Sequence, residues 1–160
     1  MAERTTPKLR PPAVPESGAP AARPSNATAA AREFAIEAAR VLSDDKCTDI
    51  VVLDVRTLSH VIDYIVIGSG TSDRQMRGSL KNVEELGEKK GYGVFRSTSD
   101  DRASWLLADF VDVIAHVFEP NIRAHYDLEM LWGDAPRVEW ERAAESPKPR
   151  KTRGTTSPSP

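Results

Sequence analysis

The chain of 160 residues has a single cysteine, Cys47. One thiol excludes an intramolecular disulfide framework and fits a reducing, cytoplasmic setting. No histidine lies close to Cys47 in sequence, and nothing else marks it as a nucleophile. No apolar run approaches the roughly 18 residues needed to span a bilayer, so no membrane association is expected. The N-terminus has no apolar signal-peptide core. Its prolines, with Glu3 and Glu16, also make it a poor transit peptide. The three histidines, His60, His116 and His125, fall in separate segments without zinc-site spacing. No serine stands in GxSxG. Gly68-Ser69-Gly70 is neither GxGxxG nor followed by a P-loop lysine. No catalytic residue, metal or cofactor is expected.

What is present is charge, unevenly spread. Residues 1–30 hold Arg4, Lys8, Arg10 and Arg23 against Glu3 and Glu16, and residues 146–160 hold Lys148, Arg150, Lys151 and Arg153 without an acid. The whole chain carries −2 and these ends carry +2 and +4, so the 115 residues between them carry −8. An acidic folded surface repels nucleic acid and favours a basic protein partner. The plainer reading is a solubilising surface.

Residues 1–27 hold six prolines and little to bury, so they are expected to be disordered. A helix is expected from about Ala29 to Leu42, with Phe34, Ala38, Val41 and Leu42 on one face. Asp49 to Val55 and Ile62 to Gly68 are β-branched, nearly continuous apolar runs, which suit strands buried on both faces. The short gap between them suits antiparallel neighbours. Ser72, with Gln75 three residues on, starts a second helix whose stripe is Met76, Leu80, Val83 and Leu86. Lys89-Lys90-Gly91 ends it. Val94–Thr98, Trp105–Asp109 and Val113–Phe118 read as strands, the last two joined by a turn over Asp109–Asp112. A final helix is expected over Asn121–Leu131. Beyond Asp134 the composition turns to Pro, Ser, Thr and Lys/Arg, and a flexible tail is expected, complete by residues 141–160. The order αββαβββα describes one α+β domain, about residues 28–140. Its mixed or antiparallel sheet of about five strands should be backed by helices on one side.

Several residues have both structural and functional readings. Gly68-Ser69 precedes a helix and could hold a phosphate, but small residues also turn the chain sharply there. Asp109 and Asp112 flank a turn, where carboxylates commonly accept backbone N–H bonds rather than hold a metal. His116 alternates onto one face with Ile114 and Phe118, as a hydrogen-bonded core histidine would. Trp105 could be core or interface. Tyr126 and Asp127 adjoin without an evident core role, which favours an interface. Leu106, Leu107, Val113, Ile114 and Val117 are the expected core of the hairpin.

Three ordered segments carry a family resemblance: Asp63 to Gln75 (DYIVIGSGTSDRQ), Trp105 to Phe118 (WLLADFVDVIAHVF), and Arg123 with Tyr126–Glu129 and Leu131-Trp132. Over about residues 30–138 the chain closely resembles the ribosomal silencing factor, or iojap-like, family. The resemblance implies a small α/β protein without catalytic activity, of nucleotidyltransferase-like topology. It also implies binding to the large ribosomal subunit through its ribosomal protein number fourteen. Occupying that face blocks joining with the small subunit and represses translation when nutrients run short. By motif, the implied partner-binding residues are Trp105, His116, Phe118, Arg123, Tyr126, Asp127 and Glu129, with His116 alternatively in the core. Assembly of the large subunit through the same surface is the nearest alternative. A nucleotidyltransferase-like enzyme is more distant, since Val94–Thr98 lacks the paired metal-binding acids. A homodimer of the free protein and weak contacts of the basic ends with ribosomal RNA are further expectations. Two departures stand out. The family usually has Gly where Val111 stands, and a β-branched residue resists φ > 0, so the turn is expected to differ in type. The family also commonly has Glu-Gly in the loop before the Trp, where this chain has Asp100-Asp101-Arg102.

Overall fold

A computed structural model of the protein describes residues 25–100 and 102–143, with side chains from Ala27 onward. The expected disordered ends fall largely on residues 1–24 and 144–160, which lie outside the described residues, as does Asp101. The described elements are α1 (Ser25–Asp44), β1 (Thr48–Asp54), β2 (Tyr64–Ser69), α2 (Asp73–Lys89), β3 (Arg96–Ser99), β4 (Trp105–Asp109), β5 (Val113–Phe118), α3 (Pro120–Tyr126) and α4 (Leu128–Leu131). α1 thus begins earlier than the expected Ala29, and β3 sits later than the expected Val94–Thr98.

The strands form one mixed sheet in the order β1-β2-β5-β4-β3. β2 pairs antiparallel with β1 and parallel with β5, whereas β4 is antiparallel to both β5 and β3. Every residue of β2 is buried, as its continuous apolar run requires of a strand covered on both faces.

Alternation sorts the side chains. Val52, Tyr64, Val66, Leu106, Ala108, Val113, Ala115 and Val117 join Phe34, Ala38 and Leu42 of α1 and Met76, Leu80 and Val83 of α2 in one buried cluster. Phe34 stacks on Tyr92 at 4.9 Å and meets Phe110 edge-on at 4.9 Å. Gly87 of α2 is required here. A Cβ on it would lie 2.4 Å from the Tyr92 carbonyl oxygen and 2.9 Å from the Phe110 ring. Ser72 caps α2 by accepting from the Gln75 N–H at 3.1 Å. Cys47 is buried beside the Ser79 hydroxyl at 3.5 Å, and burial pushes its thiol pKa up, as in an inert thiol.

The other face is not bare. α3 and α4 lie on it, so the helices flank both sides of the sheet rather than the one side expected. The expected single helix over Asn121–Leu131 is broken at Asp127, which adopts the left-handed conformation (φ 42°, ψ 59°). Aspartate tolerates that conformation, and its carboxylate accepts from the Met130 N–H at 3.3 Å, capping α4.

Part of the expected C-terminal tail is structured. Residues 136–140 run along the outer edge of β1. Asp54 N–H donates to the Pro136 carbonyl (2.9 Å), and Val138 N–H donates to the Val52 carbonyl (2.8 Å). Val138 enters the core, the Trp140 indole N–H donates to the Ile50 carbonyl, and Arg142 pairs with Asp44. The alternation of Val138 and Trp140 with Arg137 and Glu139 is a short strand-like pattern, which the polar composition around it hides.

The β4–β5 turn corrects another expectation. Val111 does adopt positive φ, at 74°. Asp112 N–H donates to the Phe110 carbonyl (3.0 Å), which closes a three-residue γ-turn around Val111, a strained geometry for any L residue. Asp109 supports it by accepting from the Val111 N–H at 2.8 Å, the turn role expected of that carboxylate. Ala103, in the loop before Trp105, is also left-handed (φ 52°). Val111 and Ala103 therefore both hold a left-handed backbone without glycine.

Candidate protein-binding face

The face opposite α1 and α2 is built on two cross-strand partners. Trp105 at the start of β4 pairs with Phe118 at the end of β5, and Leu107 pairs with His116. Period-2 alternation puts Trp105, Leu107, His116 and Phe118 on the same side. Trp105 stacks on Phe118 at 5.0 Å, and His116 lies 5.8 Å from Phe118. Val51, Leu53, Val55, Ile65 and Ile67 extend this floor across β1 and β2, and Leu128 of α4 presses onto it. Tyr126, at the end of α3, sits over Trp105 at 4.8 Å.

His116 is a core residue with a defined role. The Trp105 indole N–H donates to His116 Nδ1 at 3.1 Å, which requires the neutral imidazole. Complete burial drives its pKa down to about 3, so the acceptor persists at neutral pH. The pair fixes the indole in the floor.

Arg123 ties α3 to the rest. Its Nε and Nη2 donate to Glu129 Oε1 (2.9 and 2.6 Å), and Nη1 donates to the Ser69 hydroxyl at 2.8 Å. The Arg123 side chain is only 12 % exposed. A charge-assisted fork of this kind holds α3, α4 and the end of β2 in one geometry. Arg137 approaches the other Glu129 oxygen at 3.5 Å. Beside this brace runs a groove of about 500 Å³ lined by Asp49, Ile50, Ser69, Arg123, Asp127 and Arg137. Among the described residues, no group of three His, Cys, Asp or Glu side chains is placed to hold a metal. No helix of the described residues is long and apolar enough to cross a membrane.

All seven residues singled out from sequence thus come together, but they divide. Trp105, His116 and Phe118 are buried floor. Arg123 and Glu129 brace the helices, Tyr126 is half-buried above Trp105, and Asp127 is exposed at the helix break. The outermost apolar groups were missed by sequence reasoning. Met130 is 79 % exposed and Leu131 62 %, beside half-buried Trp132. The signal was available in Leu128-Glu-Met-Leu131: a four-residue helix can turn only part of its apolar set inward.

A family model described as ribosomal silencing factor during starvation matches residues 28–159. The chain belongs to this family. A Bacillus subtilis protein named ribosomal silencing factor is 38 % identical over 99 residues, which are 62 % of this chain and 84 % of that one. The maize chloroplastic protein Iojap is 36 % identical over 106 residues, 66 % of this chain and 46 % of that one. A mouse protein named mitochondrial assembly of ribosomal large subunit protein 1 is 31 % identical over 100 residues, 58 % of this chain and 42 % of that one. A crystal structure from Chromobacterium violaceum superposes with a TM-score of 0.58 at 31 % identity. It covers 73 % of this chain and 94 % of its own. A second, from Bacillus halodurans, gives 0.55 at 31 % identity and covers 67 % and 94 %. Within the silencing-factor family, then, this chain carries its aromatic floor and its exposed α4 on a mixed five-stranded α+β fold.

Proposed function

We propose that this protein binds the large ribosomal subunit through its ribosomal protein number fourteen and sterically prevents joining with the small subunit. Translation is thereby repressed under nutrient limitation. The observation that carries the reading is the pair Met130 and Leu131, exposed on a helix that rests on the buried Trp105–Phe118–His116 floor. Apolar side chains on a rigid base, rimmed by Asp127 and Glu129, are the anatomy of a protein interface with a desolvated centre and a polar edge. The acidic rim and the −8 of the middle region suit a basic ribosomal protein. Trp105, His116 and Phe118 act by holding this surface, Arg123 and Glu129 by bracing it, and Tyr126 and Asp127 by contact. The setting of the reading is cytoplasmic, and no cofactor enters it.

The large-subunit assembly reading uses the same surface, and the printed name of the mouse relative favours keeping it. Purified protein should co-sediment with mature large subunits and lower the yield of joined ribosomes. Binding only to precursor particles, with joining untouched, would favour assembly instead.

A further inference from the structure

The two outer edges of the sheet differ. β3 is exposed along its whole length, and among the described residues no strand lies beyond it. The β1 edge is covered by residues 136–140. Such a strap shields an edge from pairing with other chains, but this one also joins the two faces of the sheet. Trp132 and Ala135, leaving α4, pack on the aromatic-floor cluster. Arg137 stands opposite Leu53, a residue of that same cluster. Val138 then enters the cluster under α1 and α2, and Trp140 packs on it. By the period-2 alternation of a strand, the chain thus passes round the edge from the open face to the sealed one.

The far end of the strap is fastened to β1 and α1. The Trp140 indole N–H donates to the Ile50 carbonyl at 3.1 Å, and the Trp140 carbonyl accepts from Arg40 Nε at 2.8 Å. Arg142 forks onto Asp44 at 2.8 and 3.0 Å. Arg40 and Asp44 lie towards the end of α1.

The near end of the strap is α4, which needs such support. A helix of 4 residues, with only Leu128 buried, has no stability of its own. The Arg123–Glu129 pair braces its start. Its end is held by half-buried Trp132 and by the strap beyond it. The strap also reaches back to α4: Arg137 Nη2 lies 3.5 Å from Glu129 Oε2, the oxygen that Arg123 leaves open.

We infer that Val138 and Trp140 are positioning residues for the α3–α4 surface, an inference that rests on the ribosome reading for the partner but not for the mechanics. Anchored on the sealed face, they act through the strap to fix how α4 presents Met130 and Leu131. A surface presented for only part of the time binds with its affinity reduced by that fraction.

Val138→Ser with Trp140→Ser, in the full chain, should detach the strap. Hydrogen exchange, which needs no ribosome, reads the first consequence. The Leu131 and Trp132 amides, bonded in the fold to the Asp127 and Leu128 carbonyls, should exchange about tenfold faster or more. Affinity for purified large subunits, per folded molecule, should fall about tenfold, as when one molecule in ten keeps α4 seated. Phe34→Ala, which weakens the sealed face but leaves the strap anchored, should leave both readings at wild-type values. Val138→Ile with Trp140→Phe keeps the apolar anchors and should restore both. If the double serine variant does not fold, Trp140→Ser alone should show the same two changes in smaller size. Should wild-type protein ignore large subunits while α4 exchange still accelerates in the strap variant, the ribosome reading fails and the positioning role stands. Unchanged α4 exchange in the strap variants, unchanged affinity where wild type binds, or equal acceleration in Phe34→Ala overturns the inference.

Discussion

The two faces of the sheet solve opposite problems. The face under α1 and α2 is sealed: two helices of 20 and 17 residues cover it, and Phe34, Met76, Val83, Tyr64 and Val66 are at or near zero exposure. The face under α3 and α4 is covered by helices of only 7 and 4 residues, and its outermost apolar groups stay in water. Aliphatic packing dominates the first. Aromatic stacking, one histidine and an ion-pair brace hold the second. The first face stores stability, whereas the second trades cover for a rigid apolar surface, which a monomer by itself has no use for.

Variants can break that contrast. On the sealed face, Phe34→Ala should remove about 3–5 kcal/mol of unfolding free energy, with large-subunit affinity per folded molecule unchanged. Chemical denaturation beside a binding titration reads both. On the open face, Met130→Glu with Leu131→Glu should shift stability by only about 0.5 kcal/mol or less, since both side chains are exposed. It should weaken large-subunit binding by roughly 100-fold, as expected for central interface anchors. A variant that lost stability instead would place these side chains in the core.

His116 sharpens the contrast by pH. Its pKa in the fold is about 3, against about 6.5 in the unfolded chain. The unfolded state therefore binds the extra proton first as pH falls. The stability contributed by the neutral form is fully present above about 6.5 and is lost progressively towards 3. Between pH 7 and 5 the linked loss is about 2 kcal/mol. Denaturation across this range should show it, and His116→Gln, which retains an acceptor for the Trp105 indole, should remove that component. The smallest effect belongs to the turn. Val111 is exposed and left-handed, so Val111→Gly should stabilise by about 1 kcal/mol through released strain, visible as a higher denaturation midpoint.

The legible parts of the fold were those with strong period or caps. β4 and β5 match their expected bounds because Trp105–Asp109 and Val113–Phe118 are bounded by polar turn residues. Ser72 and Gly91 likewise mark the limits of α2. The break at Asp127 was not legible, because it depends on one residue entering a left-handed conformation that its neighbours' helical propensity conceals. Residues 136–140 were hidden because two apolar positions in a polar segment look like tail until an open strand edge is there to receive them. The site was half legible. Motif spacing found the aromatic floor and the brace, but only the burial of Leu128 reveals that Met130 and Leu131 must point outward.

The proposed block to ribosomal subunit joining by the open face can be followed in real time. Its most direct measurement is light scattering during reassociation of purified subunits with saturating full-length protein, wild type against Met130→Glu/Leu131→Glu. Suppressed joining is expected with wild type and near-normal joining with the variant. Normal joining at saturation by wild-type protein, or equal suppression by both, would contradict it.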